Sequence, residues 1–231
     1  MSEITPAEWT AILLSLRVAV IATLVATPFG IALAWLLARY NFWGKSVLDA
    51  LVHLPLVLPP VVTGYLLLLT LGRRGLIGAW LADNLGIVFA FRWTGAALAC
   101  GVMSFPLLVR PIRLSIEAID RRLEQAASTL GAAPWKVFAT VTLPLALPGI
   151  LAGMVLGFAK AIGEFGATIT FVSNIPGETQ VISSAIYSLI QTPDGDAAAM
   201  RLVIISIVIA TLALIASEWF ARRATQRLHG N

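Results

Sequence analysis

Charged residues are scarce in this sequence, and cysteine is nearly absent. Asp, Glu, Lys and Arg together make up 12% of the 231 residues, whereas hydrophobic residues make up 58%. A typical soluble domain has about 25% charged residues, so this composition argues against a soluble globular fold. The single cysteine, Cys100, excludes an internal disulfide and a multi-cysteine metal site. No tract rich in Lys and Arg and interleaved with aromatic residues is present, so no nucleic-acid-binding surface is expected.

Long apolar runs dominate the sequence instead. A helix needs about 20 such residues to cross a bilayer. Helix is the expected form, because backbone polar groups in lipid must be satisfied within their own segment. The runs lack the period-two alternation of membrane β-barrels. The fold class is therefore an all-α integral membrane protein with about five transmembrane helices, in a single domain of residues 1–231. The predicted spans are Ala11 to Leu37, Val47 to Leu71, Ile87 or Thr94 to Val109, Leu145 to Ala167, and Leu202 to Phe220.

A shorter apolar run lies between the fourth and fifth predicted spans. The run "VISSAIYSLI" is flanked by the turn signals "SNIPGET" and "QTPDGD". It has about ten residues, which are too few to cross a bilayer as a helix. We therefore predict a short interfacial or re-entrant helix, and a sixth crossing is the alternative.

The distribution of Lys and Arg predicts the orientation, because cytoplasmic loops carry an excess of these residues. The N-terminal segment and residues 174–199 have none. The N-terminus is therefore predicted to lie outside and the C-terminus in the cytoplasm, although Arg73, Arg74 and Arg92 fall on the predicted outer side. With five crossings, the basic residues on the cytoplasmic side are Arg39, Lys45, Arg110, Arg113, Arg121, Arg122, Lys136, Arg222, Arg223 and Arg227.

A half-polar segment separates the third and fourth predicted spans. Apolar residues recur at helical spacing from Ile116 to Leu130, with charged residues between them, which predicts an amphipathic helix. Gly131 is expected to end this helix, and Pro134 suits the first turn of a second short helix. The prediction is two consecutive helices on the cytoplasmic face. An ordinary loop on the membrane surface is the alternative.

This segment resembles the EAA loop of ABC importer permeases. The family pattern is Glu-Ala-Ala, three residues, Gly, and a later Leu-Pro. Here Gln125 replaces the middle alanine, and four residues, not three, separate Ala126 from Gly131. In that family the loop forms a coupling helix that docks into a groove on the cytoplasmic ATPase. The resemblance implies that the loop, about residues 111–148, couples to an ATPase, with a carboxylate that can pair with a partner arginine. The implied coupling residues are Glu124, Ala126, Gly131, Ala132, Leu143 and Pro144.

The resemblance extends over nearly the whole chain. The runs "HLPLVLPPVVTGYLLLLTLGRRG", "MSFPLLVRPIRLSIEAID" and "GEFGATITFVSNIPGETQ" resemble molybdate-transport permeases of bacterial ABC importers, and sulfate permeases share the Gly-Glu-Phe-Gly-Ala element. The resemblance implies a type I importer permease in the bacterial inner membrane, surrounded by membrane lipid. Its implied partners are a second copy of this chain in a homodimer, two copies of a cytoplasmic ABC ATPase and an external (periplasmic) oxyanion-binding protein.

The same resemblance implies that the partner ATPase uses ATP and that this chain binds no cofactor. The implied substrate is molybdate. A permease for sulfate, for tungstate or for a broader range of oxyanions is the alternative.

Two interruptions inside predicted spans mark candidate path or gate residues. Pro59 and Pro60 must break or kink the second span, because proline lacks a helix donor and clashes with the preceding turn. A kinked helix can expose backbone groups to a water-filled path beside Thr63 and Gly64. In the fourth span, Lys160 and Glu164 are four positions apart on the predicted helix, with Gly163 between them. They form either a structural ion pair or part of a gate.

Two other classes of membrane protein fit the sequence less well. A membrane enzyme needs paired catalytic groups or a metal cluster, and a secondary transporter usually has internal repeats; neither is evident. The run "WGKS" has Arg39 where a phosphate-binding P-loop requires glycine. We therefore expect no catalytic residue, no metal ligand and no nucleotide site in this chain.

Overall fold

The computed structural model describes residues 4–229, with side chains described for residues 4–216 and 219. The side chains of Arg222, Arg223 and Arg227, which enter the predicted orientation, lie outside this set. The described residues contain helices and no strand, and a π-helical segment, Phe138–Thr142, joins two of the helices. The α-helices are α1 (Pro6–Arg39), α2 (Lys45–Val57), α3 (Pro60–Leu71), α4 (Leu76–Leu85), α5 (Trp93–Glu117), α6 (Arg121–Thr129), α7 (Pro134–Val137), α8 (Leu143–Leu145), α9 (Leu147–Ile162), α10 (Gly166–Val172), α11 (Ile182–Leu189) and α12 (Asp196–His229).

Three helices, α1, α5 and α12, are long and apolar enough to cross a membrane. Two bent segments pass the same test only when each is counted as one span. The first is α2 with α3, which are bent by 114°. The second is the stretch Pro134–Leu145 with α9, which are bent by 68°. Counted in this way, the described chain has up to five crossings, in agreement with the sequence prediction. The second predicted span is therefore two helices that meet at its prolines, and the change of direction exceeds an ordinary proline kink.

The core of the molecule consists of α1, α5 and α9. The guanidinium of Arg17 in α1 lies 3.8 Å from the ring centre of Trp93, near the start of α5. A Cβ atom added to Gly30 would overlap Leu108 further along α5, so α1 and α5 run parallel. α9 runs antiparallel to α5, because Gly149 faces Ser115 near the end of α5. Two parallel spans need a return segment between them, and α2 and α3 occupy that place in the chain.

The short helix α11 packs on the first turns of α1. The Ile182 amide N–H donates a 2.7 Å hydrogen bond to Ser15 Oγ, and Ala185 belongs to the same buried cluster as Ile12. The carboxylate of Glu8 in α1 also pairs with Arg201 of α12 at 2.7 Å. α11 is eight residues long, so it is a short docked helix and the alternative of a sixth crossing receives no support.

The amphipathic helix predicted from Ile116 to Leu130 is wrong as a single helix. α5 continues to Glu117, and α6 begins separately at Arg121. Asp120 explains the break, since its carboxylate accepts a 2.9 Å hydrogen bond from the Arg122 amide and caps the new helix. Helical periodicity continues across a break of this kind, so the periodicity alone did not indicate it.

Candidate functional site

The proline break between α2 and α3 touches the break between α9 and α10. A Cβ atom added to Gly64 would lie 2.5 Å from the Ala167 carbonyl oxygen. A Cβ atom added to Gly166 would lie 2.7 Å from Pro60 Cβ. Only residues without a side chain permit this approach. We call Pro59–Gly64 together with Lys160–Ala167 the broken-helix site; the structure thus brings the two sets of candidate path residues into one place.

Lys160 and Glu164 form an ion pair in the broken-helix site. Lys160 Nζ lies 2.6 Å from Glu164 Oε2, and the two side chains are 29% and 1% exposed respectively. Glu164 Oε1 also accepts a 3.0 Å hydrogen bond from the Ala167 amide. The prediction that both residues lie on one helix is wrong, because α9 ends at Ile162 with Gly163 as its C-cap. Glu164 therefore pairs with α9 through Lys160 and caps the first turn of α10.

The Thr63 hydroxyl is a polar group without a partner in this site. Thr63 and Gly64 are buried within the chain, and Thr63 Oγ1 has no hydrogen-bond partner among the described residues. By contrast, the hydroxyls of Thr168 and Ser183 already donate to the carbonyls of Phe165 and Glu164, each at 2.8 Å. In a buried position an unpartnered hydroxyl is costly. The broken-helix site therefore contains one buried hydroxyl without a partner among the described residues as well as the Lys160–Glu164 ion pair.

Residues 121–145, called the 121–145 segment below, expose apolar side chains. None of the residues of α6 is buried, and the side chains of Leu130 and Trp135 are 89% and 73% exposed. Gly131 has φ of +83° and nothing within 4 Å of an added Cβ atom, which confirms the predicted glycine turn. Pro134 occupies the first turn of α7, also as predicted. An exposed leucine and tryptophan beside charged residues are typical of a protein-binding surface.

The other residues implied for coupling lie within or beside this surface. Ala126 and Pro144 are exposed, and Ala132 is half-buried. The Ala132 amide donates a 3.2 Å hydrogen bond to the Ala127 carbonyl across the Gly131 turn. Leu143 packs against the buried cluster that contains Ile112 of α5. The segment is therefore exposed on one face and anchored to the core on the other.

Glu124 pairs within its own chain. Its Oε1 atom lies 3.0 Å from Nη2 and 3.2 Å from Nε of Arg39, at the end of α1. The same oxygen accepts a 2.6 Å hydrogen bond from the Thr142 hydroxyl. In the sequence, Arg39 contributes to the predicted orientation and occupies the position where a P-loop requires glycine, and neither observation connects it to Glu124. Arg39 and Glu124 are 85 positions apart, so no local spacing could have connected them.

Comparison with known proteins identifies relatives that match over nearly their full length. The family model described as "Binding-protein-dependent transport system inner membrane component" matches residues 26–226. The chain is 62% identical over 224 residues to the Molybdenum transport system permease protein ModB of Escherichia coli (strain K12), covering 97% of this chain and 98% of that protein. It is 57% identical over 221 residues to ModB of Haemophilus influenzae (strain ATCC 51907 / DSM 11121 / KW20 / Rd), covering 96% of each.

A solved structure has the same fold. It is a bacterial alginate ABC transporter in complex with an alginate pentasaccharide-bound periplasmic protein, with a TM-score of 0.75 and 20% identity, covering 96% of this chain and 81% of that chain. At this identity the likeness concerns the fold alone, and it confirms the all-helical importer-permease architecture expected from the sequence. Together with the apolar spans and the family match over residues 26–226, it shows that this chain is a multi-pass membrane protein of the binding-protein-dependent transport system inner membrane component family.

Proposed function

We propose that this chain is the permease subunit of an ATP-driven ABC importer that moves molybdate into the cytoplasm. The observation that carries the proposal is its full-length similarity to two permeases named for molybdenum transport. The chain acts as a homodimer, and the translocation path follows the interface between the two copies. Sulfate, tungstate or a broader range of oxyanions remains the alternative substrate class.

The broken-helix site suits the passage of a doubly charged anion. A path with strong fixed positive charge would trap such an ion, because conduction requires release as well as entry. Here the Lys160 charge is balanced by Glu164 at 2.6 Å, and Thr63 adds a neutral hydroxyl. Irregular backbone is tolerated at membrane depth where it lines a cavity. We therefore assign Pro59, Pro60, Thr63, Gly64, Lys160, Gly163 and Glu164 to the path or its gate.

The 121–145 segment is the docking surface for a separate ATPase. Its exposed Leu130 and Trp135 side chains need a hydrophobic groove on another protein, and tryptophan is common among residues that dominate interface energies. Two ATPase copies bind the dimer and hydrolyse the ATP, so this chain is not itself an enzyme and holds no cofactor. Closure of the ATPase pair moves the 121–145 segment of each permease and opens the path to the outside.

The orientation follows from the same assignment. The 121–145 segment lies in the cytoplasm. Three crossings precede it, which places the N-terminus outside, and two crossings follow it, which places the C-terminus inside. An external oxyanion-binding protein then delivers molybdate from the side that carries α11 and the start of α12. Selectivity resides mainly in that binding protein, since the broken-helix site has few groups that could distinguish one tetrahedral oxyanion from another.

Uptake of labelled molybdate tests the proposal. Bacterial cells that lack this chain but retain its ATPase and binding protein should take up little molybdate, and restoring the chain should restore uptake. Excess tungstate should block this uptake, and excess sulfate should not. Equal suppression by sulfate would move the assignment to a broader oxyanion permease. Uptake that does not depend on the chain would contradict the proposed function.

A further inference from the structure

The hydrogen bonds around Glu124 carry an inference that rests on the proposed function and deepens it. We propose that Glu124, Arg39 and Thr142 form an internal latch, which positions the docking helix α6 relative to the transmembrane helices. In this role Glu124 is a positioning residue. It does not pair with an arginine of the ATPase, although the resemblance of the segment to a coupling loop leads to that expectation.

One carboxylate oxygen joins three parts of the chain. Glu124 Oε1, in the first turn of α6, accepts from two guanidinium nitrogens of Arg39 and from the Thr142 hydroxyl. Arg39 is the last residue of α1, and Thr142 is the last residue of the π-helical segment that leads to α9. Arg39 Nη2 also donates to the Ile119 carbonyl at 3.4 Å. The latch therefore connects α6 directly to the end of α1 and to the end of the π-helical segment.

The side chains of the latch are largely shielded from solvent, which favours keeping their hydrogen bonds formed. The Arg39 and Glu124 side chains are 9% and 18% exposed, and Thr142 is buried. Hydrogen bonds between ionised groups are stronger than neutral ones. Removing one partner from an enclosed ion pair leaves the other charge without compensation, at a high cost. If Glu124 turned away to an ATPase arginine, Arg39 would be left in that position.

An aromatic group beside the latch supports the same connection. Trp35 of α1 packs edge-on against Tyr40 and against Phe138 of the π-helical segment, with ring centres 5.2 Å and 5.3 Å apart. The three aromatic side chains line the same cleft as Arg39 and Glu124. They also hold the end of α1 against the π-helical segment independently of any charge.

α6 requires such a tether. It has nine residues and none of them is buried. An isolated helix of this length is marginal in water, so α6 cannot keep its position through its own packing. A displacement of α6 by the ATPase therefore passes through Glu124 to α1 and, through Thr142, towards α9. The exposed apolar side chains contact the ATPase, and the latch transmits the movement.

A charge-exchange experiment on the intact transporter tests the latch. Arg39→Glu and Glu124→Arg should each lower transport about tenfold or more, while the ATPase stays bound and ATP hydrolysis continues, so that the two activities are uncoupled. The double variant R39E/E124R should recover most of the lost transport, since it restores the pair within one chain. Lys45→Glu is the matched control. The Lys45 ammonium bonds only to Asn41 in the described residues, and reversing its charge should leave transport unchanged.

The contrary results are distinct. If Glu124 pairs with the ATPase, Glu124→Arg should release the ATPase, and the double variant should not recover transport. Either result overturns the latch. Normal transport in both single variants overturns it as well. If the double variant does not assemble, Thr142→Val provides the test. Weakened transport with continued ATP hydrolysis supports the latch, and normal coupling of hydrolysis to transport overturns it. All variants are compared with the unaltered chain on whichever oxyanion it transports. A chain that transports none contradicts the proposed function instead.

Discussion

Two ion pairs distinguish the interior of the molecule from the exposed 121–145 segment. Lys160 and Glu164 are four positions apart and join neighbouring helices at 2.6 Å, with Glu164 1% exposed. Arg39 and Glu124 are 85 positions apart and join α6 to the end of α1 at 3.0 Å. In the first pair, Glu164 also accepts a hydrogen bond from the Ala167 amide of its own chain. Around the second pair, the chain leaves Leu130 and Trp135 exposed.

The contrast separates stability from coupling. Substitutions in the broken-helix site should lower the free energy of unfolding of the permease itself, because the Lys160–Glu164 pair and the close approach of α3 to α10 form within one chain. Substitutions of exposed residues in the 121–145 segment should leave that free energy nearly unchanged and should weaken association with the ATPase. Three variants test this division, beginning with the largest expected effect on stability.

The largest loss is expected for Lys160→Met. The change leaves the Glu164 carboxylate buried without its cation, which should lower the free energy of unfolding by about 3 kcal/mol. Thermal unfolding of the purified permease in detergent measures the effect. The double variant K160M/E164Q is the control and should regain most of the stability. A single variant as stable as the unaltered chain would show that the pair does not hold the break together.

Gly64→Val should cost somewhat less. Its Cβ atom would meet the backbone of Ala167 at 2.5 Å from the carbonyl oxygen and 2.9 Å from Cα, and backbone cannot move aside as a flexible side chain can. Overpacking of this kind costs about 2 kcal/mol. Gly163→Ala is the matched control, because its Cβ atom would have no neighbour closer than 3.8 Å. Equal thermal stability of the two variants would contradict the close approach of α3 and α10.

Trp135→Ala should have the smallest effect on stability. The side chain is 73% exposed, so the free energy of unfolding should change by less than about 0.5 kcal/mol. Affinity for the ATPase should fall about tenfold or more, since buried tryptophans often dominate interface energies. Co-purification and a binding titration with the ATPase measure this loss. Leu76→Ala, at a position in α4 that is 92% exposed, should bind the ATPase normally. Unchanged affinity of the Trp135 variant would remove this residue from the docking surface.

Local patterns in the sequence predicted the local features of the structure. The apolar runs indicated the spans, Pro59 and Pro60 indicated the break after α2, and Gly131 indicated the turn after α6. The size of the 114° bend was not predictable, because it depends on how α3 packs against α10. The end of α9 before Glu164 was also missed, since a capping carboxylate and a helical residue have the same spacing from Lys160.

Distant contacts required the structure. Arg39 and Glu124 lie on elements that are brought together by the packing of α1 against α5, and nothing in either local sequence indicates the other. The same holds for Ser15, whose hydroxyl accepts from the Ile182 amide across 167 positions. A single sequence contains no signal for such pairs, because each residue is locally consistent with many partners.

The length of α1 has a consequence for how the protein sits in the bilayer. Its 34 residues measure about 51 Å, which is much longer than the hydrocarbon layer of about 30 Å. Arg17, stacked on Trp93, and Arg39 are about 33 Å apart along the helix axis and match the two boundaries of that layer. The eleven residues of α1 before Arg17 add about 16 Å of helix to that distance. α11 packs on this additional length through the Ile182–Ser15 hydrogen bond, so α1 carries α11 at one end and the Arg39–Glu124 contact with α6 at the other.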